Sequence, residues 1–151
     1  MNTQDSQLVI RLAHSDEQET AAIYNLLAET HLPPDGLSDH LHTLFVACHE
    51  NTIVGSAGLE MYGSAALLRS VAVSPNVQRQ GLGHKLTEAA LTYARQQGVE
   101  EIYLLTETAA AFFPRFGFVP TTRADVPDSV KQSVEFTTAC PQSALAMKLQ
   151  Y

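Results

Sequence analysis

The chain has 151 residues, of which 45% are hydrophobic, and this is enough apolar material for one domain with a substantial core. Its formal net charge is −7 at pH 7 and its nine Lys and Arg residues are scattered, which argues against a nucleic-acid-binding protein. Because no apolar run approaches the roughly 20 residues of a membrane span and the first residues lack signal-peptide features, we expect a cytoplasmic single domain, residues 1–151, that binds a small molecule and no membrane.

The first 62 residues contain strand-like and helix-like patterns in alternation. Ser15 and Asp16, each followed by Gln or Glu three residues later, are candidate N-caps of the first helix. A Glu-Asn dipeptide before residue 52 signals a hairpin, and Gly55 and Gly58 beyond it indicate a bulge or a close backbone approach. The expected elements are strands at residues 8–12, 43–49 and 52–61 and helices that end near residues 29 and 41.

The most informative stretch is LLRSVAVSPNVQRQGLGHKLTEAALTYARQQ, at residues 67–97. Its first seven residues are a near-continuous apolar run that predicts a buried central strand, which Ser-Pro ends. Apolar residues spaced three and four apart from residue 82 onward predict an amphipathic helix that ends at Gly98. Between strand and helix, Gly81 and Gly83 either let a ligand approach the helix N-terminus or merely permit a tight turn.

The last third of the chain predicts further strands and little regular helix. A strand at residues 101–106 precedes Thr106 and Thr108, either of which can cap a short helix that ends at Phe113, before Pro114. Strands alternating with helices indicate an α/β chain. The remaining expected elements are a short strand at residues 118–120, a helical turn at residues 128–133 and a final strand at residues 144–149.

The loop between the central strand and its helix contains Gln78, Gly81 and Gly83 at the spacing (Gln/Arg)xxGx(Gly/Ala), and FPRFGF follows at residues 113–118. These segments resemble motif A and the aromatic-xxx-Gly-Phe signature of the GNAT superfamily of acyl-CoA-dependent N-acyltransferases. The resemblance extends over essentially the whole chain. It implies the GNAT fold, a mixed, mostly antiparallel seven-stranded sheet flanked by helices, whose two central parallel strands splay to admit pantetheine.

The same resemblance implies acetyl-CoA as cosubstrate, with its pyrophosphate on the glycine loop and its pantetheine against the central strand. No metal is expected, because no third ligand accompanies His40 and His42. The cofactor-binding residues that the resemblance implies are Val71, Ala72, Val73, Gln78, Arg79, Gln80, Gly81, Leu82, Gly83, His84 and Phe113.

The chain departs from the family at two positions that carry catalysis. Phe113 stands where many members have a tyrosine that protonates the thiolate, and Leu67 stands where an acid often begins the central strand. The candidate catalytic carboxylates are therefore Glu60 and Glu107, with structural alternatives as a strand-end surface group and a first-turn helix residue. Tyr103 is either a core or edge aromatic or a substitute acid.

Arg69 is the most unexpected charge in the chain, because it interrupts an otherwise apolar strand. Its guanidinium must find an anionic partner, either in an internal salt bridge with Glu60 or in a substrate carboxylate. Arg69 and Ser70 are the candidate substrate-binding residues. The missing acid and base favour an α-amine substrate, since an amine with a pKa near 8 is about a tenth neutral at pH 7.

Five segments are more specific than the superfamily motifs, namely LLRSVAV, IYLLTETA, FFPRFGF, RADVP and EFTTACPQSA. They resemble the small GNAT proteins of arsenic-resistance gene clusters, which are similar to the acetyltransferase half of N-acetylglutamate synthase. The resemblance implies an N-acetyltransferase that acts on a small amino-acid-like amine, with a homodimer left open as a partner arrangement. The alternatives are a non-catalytic acyl-CoA-binding regulatory module and a protein N-acetyltransferase.

Overall fold

The computed structural model describes residues 8–140 and 143–151. Its strands are β1 (Leu8–Leu12), β2 (Leu44–His49), β3 (Thr52–Tyr62), β4 (Ala65–Val73), β5 (Glu101–Thr106), β6 (Val119–Thr121) and β7 (Leu145–Gln150). They form a seven-stranded sheet in the order β1-β2-β3-β4-β5-β7-β6, in which every neighbouring pair is antiparallel except β4 and β5, which are parallel. The mixed, mostly antiparallel sheet predicted from the sequence is therefore confirmed.

Two long helices accompany the sheet, α1 (Glu17–Glu29) and α2 (Leu82–Gln96), and α3 (Asp128–Lys131) is a single turn. Asp16 caps α1, because its side chain accepts a hydrogen bond from the N–H of Glu19 at 2.7 Å. None of the helices in the described part of the chain is long and apolar enough to cross a bilayer. Shorter elements are 3-10 helices at Leu37–Thr43, Pro75–Val77, Phe113–Phe116 and Arg123–Asp125 and a π-helical turn at Glu135–Ala139.

The helices α1 and α2 cover opposite faces of the sheet. Along β2, Val46 and Cys48 pack in the cluster that contains the buried residues of α1, whereas Ala47 packs in the cluster of α2. Successive side chains of a strand point to opposite faces, so this alternation places one helix on each side. Burial on both faces explains why the central strands are near-continuous apolar runs.

The parallel strands β4 and β5 pair only at their first residues. The register joins them at three positions, Ala65 with Glu101, Ala66 with Ile102 and Leu67 with Tyr103. From Leu68 onward the described register contains no pair between these strands. The predicted splay is therefore confirmed, and it opens a gap in the middle of the sheet.

A bulge lies in β4 at the start of this gap. Ser70 and Val71 stand opposite the single residue Ala57 of β3, and Ser70 has a φ of 58°. Both alternatives expected at Gly55 and Gly58, a bulge and a close approach to the backbone, are confirmed. The register of β3 shifts beside each glycine, and a Cβ at these positions would lie 2.6 and 2.7 Å from leucine methyl groups.

The prediction of a short helix that ends at Phe113 is wrong. A 3-10 helix begins there instead and carries Pro114 in its first turn, where the missing N–H of proline is not needed. The hydroxyl of Thr106 accepts a hydrogen bond from the N–H of Ala109 at 2.9 Å, which forms a turn after β5. Local hydrogen bonding by threonine thus stabilises a turn here rather than a helix N-terminus.

Gly36 and Gly63 form a matched pair of glycines for testing the packing of Val134 against residue 36. Both have left-handed φ angles, 73° and 71°, but a Cβ at Gly36 would lie 2.8 Å from Cγ1 of Val134, whereas nothing lies within 4 Å of a Cβ at Gly63. We expect Gly36→Ala to lower the free energy of unfolding by about 1–3 kcal/mol more than Gly63→Ala. Urea denaturation measures this difference, and equal losses would show that Val134 moves aside without cost.

Candidate active site

The diverging ends of β4 and β5 open a groove that continues to the N-terminus of α2. One part, here called the strand cavity, lies between the two strands and has a volume of about 450 Å³. The other part, the loop cavity, lies beside the loop before α2 and has a volume of about 510 Å³. The two cavities adjoin each other, because five residues line both of them, namely Val71, Val73, Gln78, Ala109 and Phe113.

The loop cavity presents backbone N–H groups and positive charge. Gly81 is the N-cap of α2, no side chain caps this N-terminus, and no acidic residue lies in the first turn. The first N–H groups of a helix lack intrahelical partners and form the positive end of the helix dipole. Arg79 and Arg115 line the same cavity. This part of the groove is therefore suited to an anion such as a phosphate group.

The structure brings together all but one of the residues predicted to bind the cofactor. Gln78 fixes the loop, since its side-chain amide donates to the carbonyl of Val73 at 3.0 Å. Gln80 is the exception, because it lines a separate cavity with Val77 and Lys85. Those that line the loop cavity are Val71, Val73, Gln78, Arg79, Gly81, Leu82, Gly83, His84 and Phe113, and Ala72 lines the strand cavity.

Phe113 lines both cavities, and Phe112 lines the loop cavity beside it. Phe113 packs edge to face against Phe112 and Phe118, with centroid separations of 5.1 and 5.8 Å. Tyr103 is a core aromatic, because it is buried and donates its hydroxyl to Glu101 at 2.6 Å. Burial and this hydrogen bond raise the pKa of Tyr103, so its hydroxyl is a poorer acid than an ordinary phenol.

Arg69 lies at the centre of a buried charged network beside the strand cavity. Its side chain has no exposed area, and its Nη1 lies 2.7 Å from Oε2 of Glu60. Its Nε lies 3.4 Å from Oε2 of Glu135 and donates to Oγ of Ser70 at 3.2 Å. Its Nη2 donates to the carbonyl of Pro33 at 3.1 Å. Of the two alternatives that the sequence left open for Arg69, the internal salt bridge with Glu60 is present.

Glu60 belongs to this network, so its interpretation as a surface carboxylate is wrong. It is 1% exposed, it accepts a hydrogen bond from the hydroxyl of Tyr62, and Nε2 of His40 lies 3.7 Å away. Burial acts to raise the pKa of Glu60, but hydrogen bonds from Tyr62, Arg69 and Ser133 outweigh it and the pKa is lowered. Glu60 therefore stays ionised, and it is absent from the described lining of the strand cavity.

Two other carboxylates line the strand cavity, Glu107 and Glu135. Glu107 is exposed in a bend just beyond the end of β5, so its alternative interpretation as a first-turn helix residue is wrong. Glu135 is 4% exposed, and its burial, opposed by the charge of Arg69, raises its pKa to about 7. Reasoning from the sequence missed Glu135, because the segment around it has no periodicity that would orient its side chains toward the groove.

Comparison with known proteins gives a consistent result. A model of the acetyltransferase (GNAT) family matches residues 9–118. An uncharacterized N-acetyltransferase of Chlorobaculum tepidum is 27% identical over 109 residues, which cover 72% of this chain and 68% of that protein. An amino-acid acetyltransferase of Neisseria meningitidis is 27% identical over 127 residues, 80% of this chain but 29% of the relative. The chain thus spans under a third of that relative's length.

Solved structures share the fold. N-acetylglutamate synthase from Neisseria gonorrhoeae, in complex with coenzyme A and N-acetyl-glutamate, superposes with a TM-score of 0.78 at 21% sequence identity. The superposition covers 95% of this chain and 35% of the synthase chain. A Mycobacterium tuberculosis protein in complex with coenzyme A has the same TM-score at 23% sequence identity. That superposition covers 95% of this chain and 99% of the M. tuberculosis chain.

Removal of the buried guanidinium tests the charged network. Arg69→Met leaves Glu60 and Glu135 buried without their cation, so we expect the free energy of unfolding to fall by about 3–5 kcal/mol. Arg11→Met is the control, because it breaks a 2.8 Å ion pair with Glu19 in which the arginine side chain is 29% exposed. We expect the loss of that ion pair to lower the free energy of unfolding by at most about 1 kcal/mol. Similar losses in urea denaturation of the two variants would contradict the structural role of Arg69.

Proposed function

This chain belongs to the acetyltransferase (GNAT) family, and we propose that it transfers an acetyl group from acetyl-coenzyme A to the amine of a small amino-acid-like substrate. The observation that carries the proposal is a pair of adjoining cavities, one at the uncapped N-terminus of α2 and the other beside a buried cluster of charges. Relatives named as amino-acid acetyltransferases and as N-acetylglutamate synthase support this class of substrate.

We assign the loop cavity to coenzyme A. The N-terminus of α2 and the guanidinium groups of Arg79 and Arg115 supply the N–H donors and positive charge that a pyrophosphate requires. The splayed part of β4 pairs with β3 but not with β5, so the backbone groups on its β5 side are available to bind the amide groups of the pantetheine arm. The rings of Phe112 and Phe113 give this arm an apolar surface.

The bulge in β4 supports a donor for the oxyanion of the transferred acetyl group. Because Ser70 and Val71 share one partner position on β3, the regular ladder is interrupted where the groove begins, and we assign the oxyanion donor to a backbone N–H of this bulge. A preorganised donor of this kind is worth roughly 3 kcal/mol of transition-state stabilisation. Phe113 has no proton to give, so the thiolate leaves as an anion and takes its proton from water.

The charges of the strand cavity favour an amine as acceptor. Among the described residues that line this cavity, Arg69 is the only lysine or arginine, and the ionised Glu60 neutralises its charge. With Glu107 also present, the cavity attracts a cationic group. We assign Arg69 and Ser70 to substrate recognition through the carboxylate wall that they hold in place. An α-amine suits this site because about a tenth of it is neutral at pH 7.

Release of free thiol from acetyl-coenzyme A, measured with a panel of acceptors, tests the proposal. We expect saturable turnover with amino acids and with their phosphonate or arsenic-containing analogues, the last of which tests the arsenic-resistance association. Polyamines and a lysine peptide should react more slowly, since under one in a thousand of such amines is neutral at pH 7. Turnover of the peptide alone would favour a protein N-acetyltransferase. Coenzyme binding in calorimetry without any turnover would favour a non-catalytic binding module.

Gly83→Ala tests the assignment of the loop cavity to coenzyme A. A Cβ at Gly83 would lie 3.5 Å from Val73 and 3.7 Å from Phe112, so the chain accommodates a methyl group that occupies the cavity. We expect the Kd for coenzyme A to rise about tenfold, or 1.4 kcal/mol, with little change in Tm. Gly63→Ala, which lies outside both cavities, is the control. Unchanged calorimetric affinity in Gly83→Ala would place the coenzyme elsewhere.

A further inference from the structure

Two buried carboxylates contact Arg69, and their surroundings differ. Glu60 is held at 2.7 Å by Nη1 of Arg69, also accepts a hydrogen bond from Tyr62, and lies outside the lining of the strand cavity. Glu135 lines the cavity, and its Oε2 lies 3.4 Å from Nε of Arg69. The first carboxylate is therefore saturated with donors, whereas the second is loosely paired and faces the space where an acceptor would bind.

We propose that Glu135 accepts the proton that the acceptor amine loses during acetyl transfer, an inference that rests on the proposed function. The N–C bond forms as the C–S bond breaks, and one amine proton passes to a carboxylate oxygen of Glu135. The coenzyme leaves as a thiolate. Glu135 then releases the proton to water and returns to the carboxylate form, so charge and protons balance over one turnover.

The backbone around Glu135 holds its side chain at the cavity. The residue begins the π-helical turn Glu135–Ala139, and its N–H donates to Oγ of Ser133 at 3.1 Å. Its carbonyl accepts the N–H of Cys140 at 3.2 Å, which closes the turn. Because both backbone groups are satisfied within the turn, the carboxylate is the part of Glu135 that remains for chemistry.

The charged and titratable groups around Glu135 favour a proton acceptor that works near neutral pH. Burial raises the pKa of Glu135, and the negative charges of Glu60 and Asp35 raise it further. The positive charge of Arg69 and a hydrogen bond from Cys140 lower it. The resulting pKa is about 7, and a general base is most effective when its pKa lies near the working pH.

The neighbouring thiol does not compete for the proton. Burial, with the charges of Glu135 and Glu107, raises the pKa of Cys140 to about 12, so Cys140 stays neutral. Glu60, whose pKa is lowered, stays ionised. Carboxylates whose environments push their pKa values apart commonly divide structural and acid–base roles in this way.

The pH dependence of kcat/KM for the best amine of the panel tests this role. In the native protein we expect an inflection near pH 7, and in Glu135→Gln we expect its loss together with a fall in kcat of roughly 10²–10⁴-fold. The Kd for coenzyme A should change less than twofold, since Glu135 lies outside the loop cavity. Glu135→Asp, a second variant with a shorter carboxylate, should be slower than the native protein but keep an inflection.

Two further carboxylate variants make the result specific. Glu17→Gln, at the exposed first turn of α1, is the matched control and should leave rate and profile unchanged. If Glu107→Gln removes the inflection while Glu135→Gln keeps it, the proton acceptor is Glu107 and the proposal is overturned. Retention of kcat within threefold and of the inflection in Glu135→Gln overturns it as well.

Carbon-13 NMR of glutamate carboxyl groups gives a readout that does not need turnover. We expect one signal, absent from Glu135→Gln, to titrate near pH 7 and to shift when an amine of the panel is added. A Glu135 signal that titrates in the ordinary glutamate range and ignores added amines overturns the proposal. Absence of turnover with every amine, by contrast, would overturn the proposed function. The NMR titration would still decide whether an amine binds next to Glu135.

Discussion

Burial of the Arg69 guanidinium in the middle of a sheet is the constraint on which the arrangement of the site depends. A buried charge is tolerated when it is paired and its N–H groups are hydrogen-bonded. Arg69 meets this requirement through Glu60 on β3, Glu135 on the π-helical turn and the carbonyl of Pro33. Three segments that are distant in the sequence are thereby held against the opening between β4 and β5.

The opening itself results from how the two parallel strands are paired. They are joined at three positions near Leu67 and then diverge, and the bulge at Ser70 turns β4 at that point. The groove that results has different charge in its two parts. Positive charge lies beside the N-terminus of α2, and carboxylates lie beside Arg69. This polarity supports the proposed arrangement, in which the anionic end of the cosubstrate lies in the loop cavity and the acceptor amine lies in the adjoining strand cavity.

Local patterns predicted most of the fold. The strand that ends before Ser-Pro and the helix that ends before Gly98 were predicted because apolar periodicity and chain breakers act locally. The segment after β5 was predicted wrongly as a helix, because Thr106 and Pro114 each suit either a helix terminus or a turn. The salt bridge of Glu60 with Arg69 was among the alternatives offered, but the interpretation of Glu60 as a strand-end surface group was wrong. Burial at a strand end depends on what packs over it, which in this case includes Tyr62.

The sequence by itself determined the family resemblance, the glycine loop before α2 and the need of Arg69 for an anionic partner. These follow from residue types at fixed spacing and from the cost of an unpaired buried charge. Only the tertiary structure decided that Glu60 is saturated and that Glu135 lines the groove. Glu135 is 66 residues after Arg69 in the chain and reaches it through an irregular turn. No periodic pattern encodes such a contact, because it depends on how separate segments pack around one guanidinium.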